Sequence, residues 1–126
     1  EKYNYRAKLV KVVDGDTIDC TIDLGFHTFR KIRVRMEGIN TPESRTRDLE
    51  EKERGLAAKA RLQEILLYNG NHCTLKVSGL GKYGRALATV FVENLSPVAT
   101  ARWSLINVNN QLITEGHAVE YHGGKR

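Results

Sequence analysis

Alternation of apolar and polar side chains is the feature that most constrains the fold of this chain. From Thr17 to Leu24 every second residue is apolar, and Ile32, Val34 and Met36 repeat that spacing. Successive side chains of a β-strand point to opposite faces, so each run buries one face of an extended segment. Arg33, Arg35 and Glu37 must then lie on the opposite, non-core face of their strand.

Five strands are predicted, three before the middle of the chain and two after it. They span Tyr5–Val13, Thr17–Leu24, Phe26–Glu37, Cys73–Val77 and Ala86–Val92. The alternation slips at Leu9-Val10, which indicates a β-bulge. Three meandering strands, a helix and two more strands is the order of an OB-fold. We therefore predict an α+β, mainly β fold: a five-stranded OB-type barrel with one longer helix after the third strand and a short C-terminal helix.

The longer helix has a clear end and an ambiguous start. Apolar residues recur at helical spacing from Ala58 to Leu66, and Asn69-Gly70 is a typical helix stop. Asp48 with Glu51 resembles a capping pair, whereas Gly55 favours a later start.

The remaining segments add a short helix and a loop. Residues 108–115, VNNQLITE, are predicted to be helical, with Asn107 or Asn109 as the cap and Gly116 as the end. Residues 95–105 have no regular pattern and are expected to form a loop. With 126 residues and no visible repeat or linker, the whole chain is expected to be one domain.

Composition narrows the class of partner. Lys and Arg number 20 against 15 Asp and Glu, a formal charge of +5, which favours an acidic partner such as nucleic acid or anionic lipid. No apolar run approaches the roughly 20 residues of a membrane span, so we expect no membrane partner. No signal-peptide pattern is visible and the first residue is not Met, so cytoplasmic and secreted locations both stay open. A monomer is expected.

The cysteines and histidines do not form a metal-binding pattern. Cys20 and Cys73 are far apart, and the apolar alternation around Cys20 indicates a buried free thiol rather than a disulfide. His117 and His122 flank Glu120, but this spacing matches no zinc motif and no third ligand is near in sequence.

The residues around the third predicted strand suit phosphodiester hydrolysis. That reaction needs a base for the attacking water and positive charge for the phosphoryl oxygens. Glu43 can be the base, and Arg35 and Arg85 can bind the phosphate. Asp16 and the Asn40-Thr41 turn offer the oxygen ligands that a hard cation such as calcium prefers.

Three short segments resemble the staphylococcal nuclease (thermonuclease) family. DGDT (14–17), RMEGINTPE (35–43) and KYGR (82–85) occur in that family's order and at roughly its separations. The resemblance runs from about Lys8 to about Tyr121. It implies an OB-type barrel with packed helices. It also implies calcium-dependent hydrolysis of DNA and RNA, preferably single-stranded, to products ending in 3′-phosphates.

The resemblance also assigns roles to individual residues. The matching positions for the catalytic residues are Arg35, Glu43 and Arg85. One calcium ion would be bound by Asp16, Asn40 and the backbone carbonyl of Thr41. The nucleotide's terminal phosphate would be contacted by Lys82, Tyr83 and Tyr121.

Two departures from the family pattern stand out. Asn40 replaces the usual aspartate, which removes one formal charge and predicts weaker calcium binding or tolerance of another cation. Residues 95–105 look longer than usual, and the final helix of longer members is absent from the sequence given. The alternative function is a catalytically weak or inactive OB-type module that binds nucleic acid, as in degenerate domains of tudor-staphylococcal nuclease proteins. The retained base, arginines and first metal carboxylate favour the nuclease.

Overall fold

The computed structural model describes residues 3–80, 84–93 and 105–121. Within these ranges the chain forms eight strands and two helices. In chain order they are β1 (Tyr3–Asp14), β2 (Thr17–Asp23), β3 (Phe29–Met36), β4 (Ile39–Asn40), α1 (Leu49–Tyr68), β5 (His72–Leu80), β6 (Ala86–Glu93), β7 (Leu105–Asn107), α2 (Val108–Thr114) and β8 (Val119–Glu120). In the described part of the chain, no helix is both long enough and apolar enough to cross a membrane.

Five of the strands close into a barrel. β3, β2, β1, β5 and β6 pair antiparallel in that order, and β6 returns to pair parallel with β3. β7 extends the sheet beyond β6, while β4 and β8 form a separate antiparallel pair. The ring confirms the predicted mainly β, OB-type barrel with a long helix after its third strand and a short helix near the C-terminus.

The barrel interior is filled by the predicted alternating residues. Ile18, Cys20, Val34 and Met36 are fully buried, as the alternation requires. The helices pack on this core through fully buried side chains, among them Leu62 and Leu66 of α1 and Leu112 of α2. Burying each such leucine stabilises the fold by about 1.5–3 kcal/mol.

Both cysteines are buried free thiols, as predicted for Cys20. Burial raises the pKa of Cys20 and of Cys73 to about 12 in each case. Both thiols therefore stay protonated at neutral pH and are poor nucleophiles and metal ligands.

The strand ends show one confirmation and one correction. The pairing of β1 with β2 shifts register between Leu9 and Lys11, which confirms the predicted bulge. The third predicted strand begins three residues later than expected, at Phe29. Phe26 and His27 have positive φ angles of 54° and 58°, so they belong to the turn and cannot continue a strand.

Helix α1 begins early, at Leu49, because Asp48 caps it. The Asp48 carboxylate accepts the backbone N–H groups of Glu50 and Glu51 at 3.1 and 3.2 Å. Gly55, which in the sequence favoured a later helix start, lies inside the helix. Its place there is explained by packing, since an added Cβ would lie 2.3 Å from the Glu43 carbonyl oxygen.

Three short strands were not predicted, and one of them begins inside the expected loop. β4 and β8 have two residues each and β7 has three, too few for alternation to be recognised. Of the loop expected at residues 95–105, Leu105 begins β7, and residues 95–104 lie outside the described ranges. Asn107 caps α2 by accepting the Asn110 N–H at 3.0 Å, which settles the two capping alternatives.

The seam between β3 and β6 is held by a buried amide. Asn109, 3% exposed, accepts the Val90 N–H at 3.0 Å and donates to the Glu37 carbonyl at 2.8 Å. The Glu37 N–H in turn donates to the Ala88 carbonyl at 2.8 Å. Asn109 thus provides hydrogen-bond partners where the parallel ladder ends, next to the strand end that carries Arg35.

Candidate active site

Asp16 and Arg35 are brought together by the register of β2 and β3. Thr17 pairs with Arg35 across the two strands, and the Met36 N–H donates to the Asp16 carbonyl at 2.8 Å. Val34 and Met36 point into the core, so Arg35 points out of the barrel. The predicted face of Arg35 is therefore confirmed, and Asp16 lies beside it.

The Arg35 guanidinium is held on several sides. Its Nη2 lies 3.4 Å from Asp16 Oδ2 and 3.4 Å from Asn40 Oδ1, and its Nη1 donates to the Met36 carbonyl at 2.8 Å. The guanidinium carbon lies 5.9 Å from the centre of the Tyr121 ring, within cation–π distance. The Arg35 side chain is only 18% exposed, so these contacts orient a partly desolvated cation.

The Asp16 carboxylate is buried and oriented by hydrogen bonds. Oδ1 accepts the Thr17 hydroxyl at 3.0 Å, and Oδ2 accepts the Thr41 backbone N–H at 3.1 Å. A buried charge requires such partners together with an opposite charge, and Arg35 provides that charge. The carboxylate therefore ties the DGDT turn to the TPE turn.

The two-stranded sheet of β4 and β8 carries further site residues. Asn40 pairs with Val119, and the Tyr121 N–H donates to the Gly38 carbonyl at 2.9 Å. This pairing brings both Asn40 and Tyr121 to the Arg35 guanidinium, although they are far apart in sequence. Thr41 is buried, and its Oγ1 has no hydrogen-bond partner among the described residues.

Glu43 is exposed and is positioned by α1. Its backbone N–H donates to Glu51 Oε2 at 3.3 Å. The helix comes so close at Gly55 that an added Cβ would lie 2.3 Å from the Glu43 carbonyl oxygen and 2.7 Å from the Ser44 nitrogen. Helix α1 thus holds the Glu43 backbone on both its N–H and its carbonyl side.

Arg85 lies on the other side of β3. It immediately precedes Ala86, which pairs with Val34, and it is half-buried. Together with Arg33 it lines a groove on the outside of the barrel. Lys82 and Tyr83, predicted to contact the terminal phosphate, lie outside the described residues.

The structure thus brings Asp16, Arg35 and Asn40 into one cluster, with Thr41 and Tyr121 in contact with its members. Glu51 was not predicted as a site residue. Its position three residues after Asp48 signalled a capping pair, whose glutamate normally bonds to the cap residue's own N–H. Here the Glu51 carboxylate accepts the N–H of Glu43.

Oxygen atoms dominate the possible metal ligands. The cluster offers a carboxylate from Asp16, an amide oxygen from Asn40 and the oxygens of Thr41, a donor set that suits a hard cation. Asp16 is the only carboxylate among these three residues. Within the described ranges, this cluster included, no group of three or more His, Cys, Asp or Glu residues is placed to hold a metal ion.

The protein is thus an OB-type barrel in which an arginine, Arg35, is paired with a carboxylate, Asp16, where β2 begins and β3 ends. The chain matches the family model described as "Staphylococcal nuclease homologue" over residues 33–126. The chain belongs to this family.

Two curated relatives are similar to most of this chain. The chain is 30% identical over 118 residues to "Micrococcal nuclease" of Shigella flexneri. It is also 30% identical over 120 residues to "Protein ParB" of Escherichia coli. Each match covers 94% of this chain and 59% of the relative, so the chain spans about three-fifths of the length of these proteins.

Proposed function

We propose that this chain is a metal-dependent nuclease that hydrolyses phosphodiester bonds of DNA or RNA, with single strands preferred. The observation that carries the proposal is the Arg35 guanidinium, held on the outside of the barrel by Asp16, Asn40 and Tyr121. An oriented, partly desolvated arginine is well suited to bind a phosphate and to stabilise the charge that develops on it. Family membership and the similarity to a protein named micrococcal nuclease support the same reaction.

Arg35 and Arg85 would stabilise the transition state from two sides of the phosphate. Arg35 lies on β3, and Arg85 immediately precedes the adjacent strand β6, where Val34 and Arg35 pair in parallel register with Ala86 and Leu87. Guanidinium groups bind phosphate oxygens through two parallel N–H groups, which adds orientation to charge neutralisation.

Glu43 would act as the general base that deprotonates the attacking water. It is exposed, so water can reach its carboxylate, and its backbone is held by Glu51 and by the close approach of Gly55. Positioning of the base is required for efficient proton transfer. Products ending in 3′-phosphates are part of this proposal, as the family resemblance implies.

Asp16, Asn40 and the Thr41 carbonyl would hold one calcium ion. When bound, that ion would supply positive charge next to the phosphoryl oxygens. Arg35 Nη2 contacts an oxygen of Asp16 and one of Asn40, at 3.4 Å each, so a bound cation would share these oxygen ligands with the guanidinium. Because Asp16 is the only carboxylate of the three, we propose weaker calcium binding than in a site with two aspartates.

The nucleotide's terminal phosphate would be contacted by Tyr121, Lys82 and Tyr83. Tyr121 lies against the Arg35 guanidinium, which supports its place next to the phosphate. We propose that the active form is a monomer.

The proposal is tested by incubating the purified protein with heat-denatured DNA and with RNA, in calcium or in a chelator. Glu43→Gln is the matched control, because it keeps the size of the side chain and removes the base. We expect degradation that requires the cation and falls at least a hundredfold in the variant, the lower range for loss of a general base. Degradation unaffected by both the chelator and the variant would contradict the proposal.

A second candidate function is a nucleic-acid-binding module without catalysis. The observation that favours it is the single carboxylate of the cluster, since Asn40 contributes no charge. The same experiment separates the two functions: binding of DNA without degradation in calcium, magnesium or manganese would establish the module.

A further inference from the structure

A basic groove runs along the outside of the barrel beside the candidate active site. Its volume is about 540 Å³, and it is lined by Arg30, Lys31, Ile32, Arg33, Gly84 and Arg85. We call it the β3 groove. Arg85 is also one of the proposed catalytic residues, so the groove and the proposed active site share one residue.

The β3 groove carries excess positive charge. Arg33 is balanced by Asp19, whose two carboxylate oxygens accept Nε and Nη2 at 2.8 and 3.1 Å. Arg30 and Lys31 are exposed, and no ion pair joins either of them to another residue within the described ranges. A polyanion can therefore approach these two cations without first displacing a carboxylate of the described chain.

An exposed aromatic residue lies further along the same face of β3. Phe29 shares this face with Lys31, Arg33 and Arg35, because these residues alternate along the strand. Its side chain is 60% exposed, and Phe26 in the preceding turn is fully exposed. At about 3.3 Å per residue, the row from Phe29 to Arg35 extends over roughly 20 Å.

We propose that the β3 groove binds the part of a single-stranded polynucleotide that continues beyond the phosphodiester bond to be cleaved. Arg30 and Lys31 contact its phosphates, and Phe29 stacks on one of its bases. Lys31 and Phe29 project from one face of β3, and Arg30 reaches the groove from the opposite face. Charge along the backbone combined with an aromatic surface for a base is how single strands are bound. The inference rests on the proposed function, and it makes a polymer rather than a dinucleotide the preferred substrate.

The first test measures binding without requiring catalysis. A labelled 12-nucleotide oligothymidine is titrated by fluorescence anisotropy into Glu43→Gln protein, with and without Arg30→Ala/Lys31→Ala. We expect the double variant to bind about tenfold more weakly at low salt. The slope of log affinity against log salt should fall by about 1.4, since each phosphate contact of a single strand contributes about 0.7.

Matched controls distinguish an effect of the groove on binding from the effects of total charge and of exposed aromatic surface. Lys8→Ala/Lys76→Ala removes the same charge from exposed positions on β1 and β5, strands that are not neighbours of β3. Phe29→Ala should weaken binding about tenfold through lost stacking. Tyr68→Ala, which removes a 75% exposed aromatic residue from α1, should not.

The second test compares cleavage of a dinucleotide with cleavage of the 12-nucleotide strand. In an otherwise unchanged protein, Arg30→Ala/Lys31→Ala should lower kcat/KM about tenfold for the longer substrate and leave the dinucleotide unaffected. Equal loss of oligothymidine binding in the groove variant and the lysine control would overturn the inference. So would a groove variant that loses binding to anionic vesicles but not to oligothymidine. If neither the parent protein nor the groove variant cleaves either substrate, but the groove variant still loses oligothymidine binding, the nuclease proposal fails and the groove proposal stands.

Discussion

At the scale of single residues, Arg35 joins groups that come from three separate parts of the chain. Its guanidinium contacts Asp16 from the turn before β2, Asn40 from β4 and Tyr121, which immediately follows β8. The pairing of β2 with β3 fixes Asp16 beside Arg35, and the pairing of β4 with β8 fixes Asn40 and Tyr121, so the side chain would lose little further freedom on binding the proposed phosphate. This preorganisation is what electrostatic stabilisation of a transition state requires.

Asn40→Asp is expected to increase affinity for calcium. The substitution is nearly isosteric and places a second carboxylate beside Asp16, where Asn40 Oδ1 now contacts Arg35 at 3.4 Å. Calcium affinity rises with the number of charged ligands, so we expect Kd to fall about tenfold. Isothermal titration of calcium into the Glu43→Gln protein, with and without Asn40→Asp, measures this directly. Unchanged affinity would contradict the assignment of Asn40 as a ligand.

At the scale of secondary structure, α1 acts as a platform for the turns that carry the site. Ala58 packs under Gly15, where an added Cβ would lie 2.7 Å from the Ala58 Cβ. One turn earlier, Gly55 contacts the backbone of Glu43 and Ser44. Small residues on one face of the helix thus determine the distance between the DGDT turn, the TPE turn and the helix axis.

Gly55→Ala is expected to lower both stability and activity. Replacing glycine by alanine inside a helix normally stabilises it by about 1 kcal/mol. Here the new methyl group would lie 2.3 Å from a backbone oxygen that cannot rotate away, and such overpacking costs about 1–3 kcal/mol. We expect a net loss of up to about 2 kcal/mol in urea unfolding and a reduced kcat, because the Glu43 backbone must move.

The exposed Ala60 of the same helix offers a control for Gly55→Ala. Ala60→Gly should lower the free energy of unfolding by about 1 kcal/mol and leave kcat unchanged. A Gly55→Ala protein that is more stable than the parent would show that the contact with Glu43 does not constrain the site.

At the scale of the whole molecule, side-chain contacts join elements that are distant in sequence. Asn109 of α2 supports the seam where β6 meets β3 and closes the barrel. Arg61 of α1 donates from Nε and Nη2 to the two carboxylate oxygens of Glu115, at 2.6 and 2.8 Å. Glu115 caps the C-terminal end of α2, so this pair holds the two helices together outside the core.

This ion pair predicts a defined pH dependence of stability. The hydrogen bonds from Arg61 lower the pKa of Glu115 from 4.5 to about 2. Because the folded pKa is depressed, the pair stabilises the fold fully above about pH 4.5 and loses its effect as pH falls through about 2. At pH 7, Glu115→Gln should lower the free energy of unfolding by about 1 kcal/mol, allowing for solvent screening of a partly exposed pair.

Urea unfolding of both proteins from pH 7 to pH 2 measures this difference. It should shrink below pH 4.5 and become small near pH 2, the folded pKa of Glu115, where its carboxyl group begins to bind a proton in the folded protein too. A difference that stays constant over this range would show that packing rather than charge joins the helices.

The alternation of side chains by itself determined the barrel strands, since burial of one face depends only on the order of residues. Apolar spacing and the Asn69-Gly70 stop likewise identified α1. The motifs named the candidate residues, and the structure places Asp16, Arg35 and Asn40 together. Their catalytic and metal-binding roles remain predictions.

Tertiary structure alone decided the contacts between distant segments. The pairing of β4 with β8, the position of Tyr121 against Arg35, the bond from Glu43 to Glu51 and the β3 groove have no local signature. Two-residue strands are too short to carry a periodic pattern. The start of α1 was ambiguous for the same reason: a glycine is needed at position 55 because of a contact with Glu43, twelve positions earlier in the chain. Such contacts depend on which surfaces meet once the barrel has closed, and a pattern read along the chain contains no distance between them.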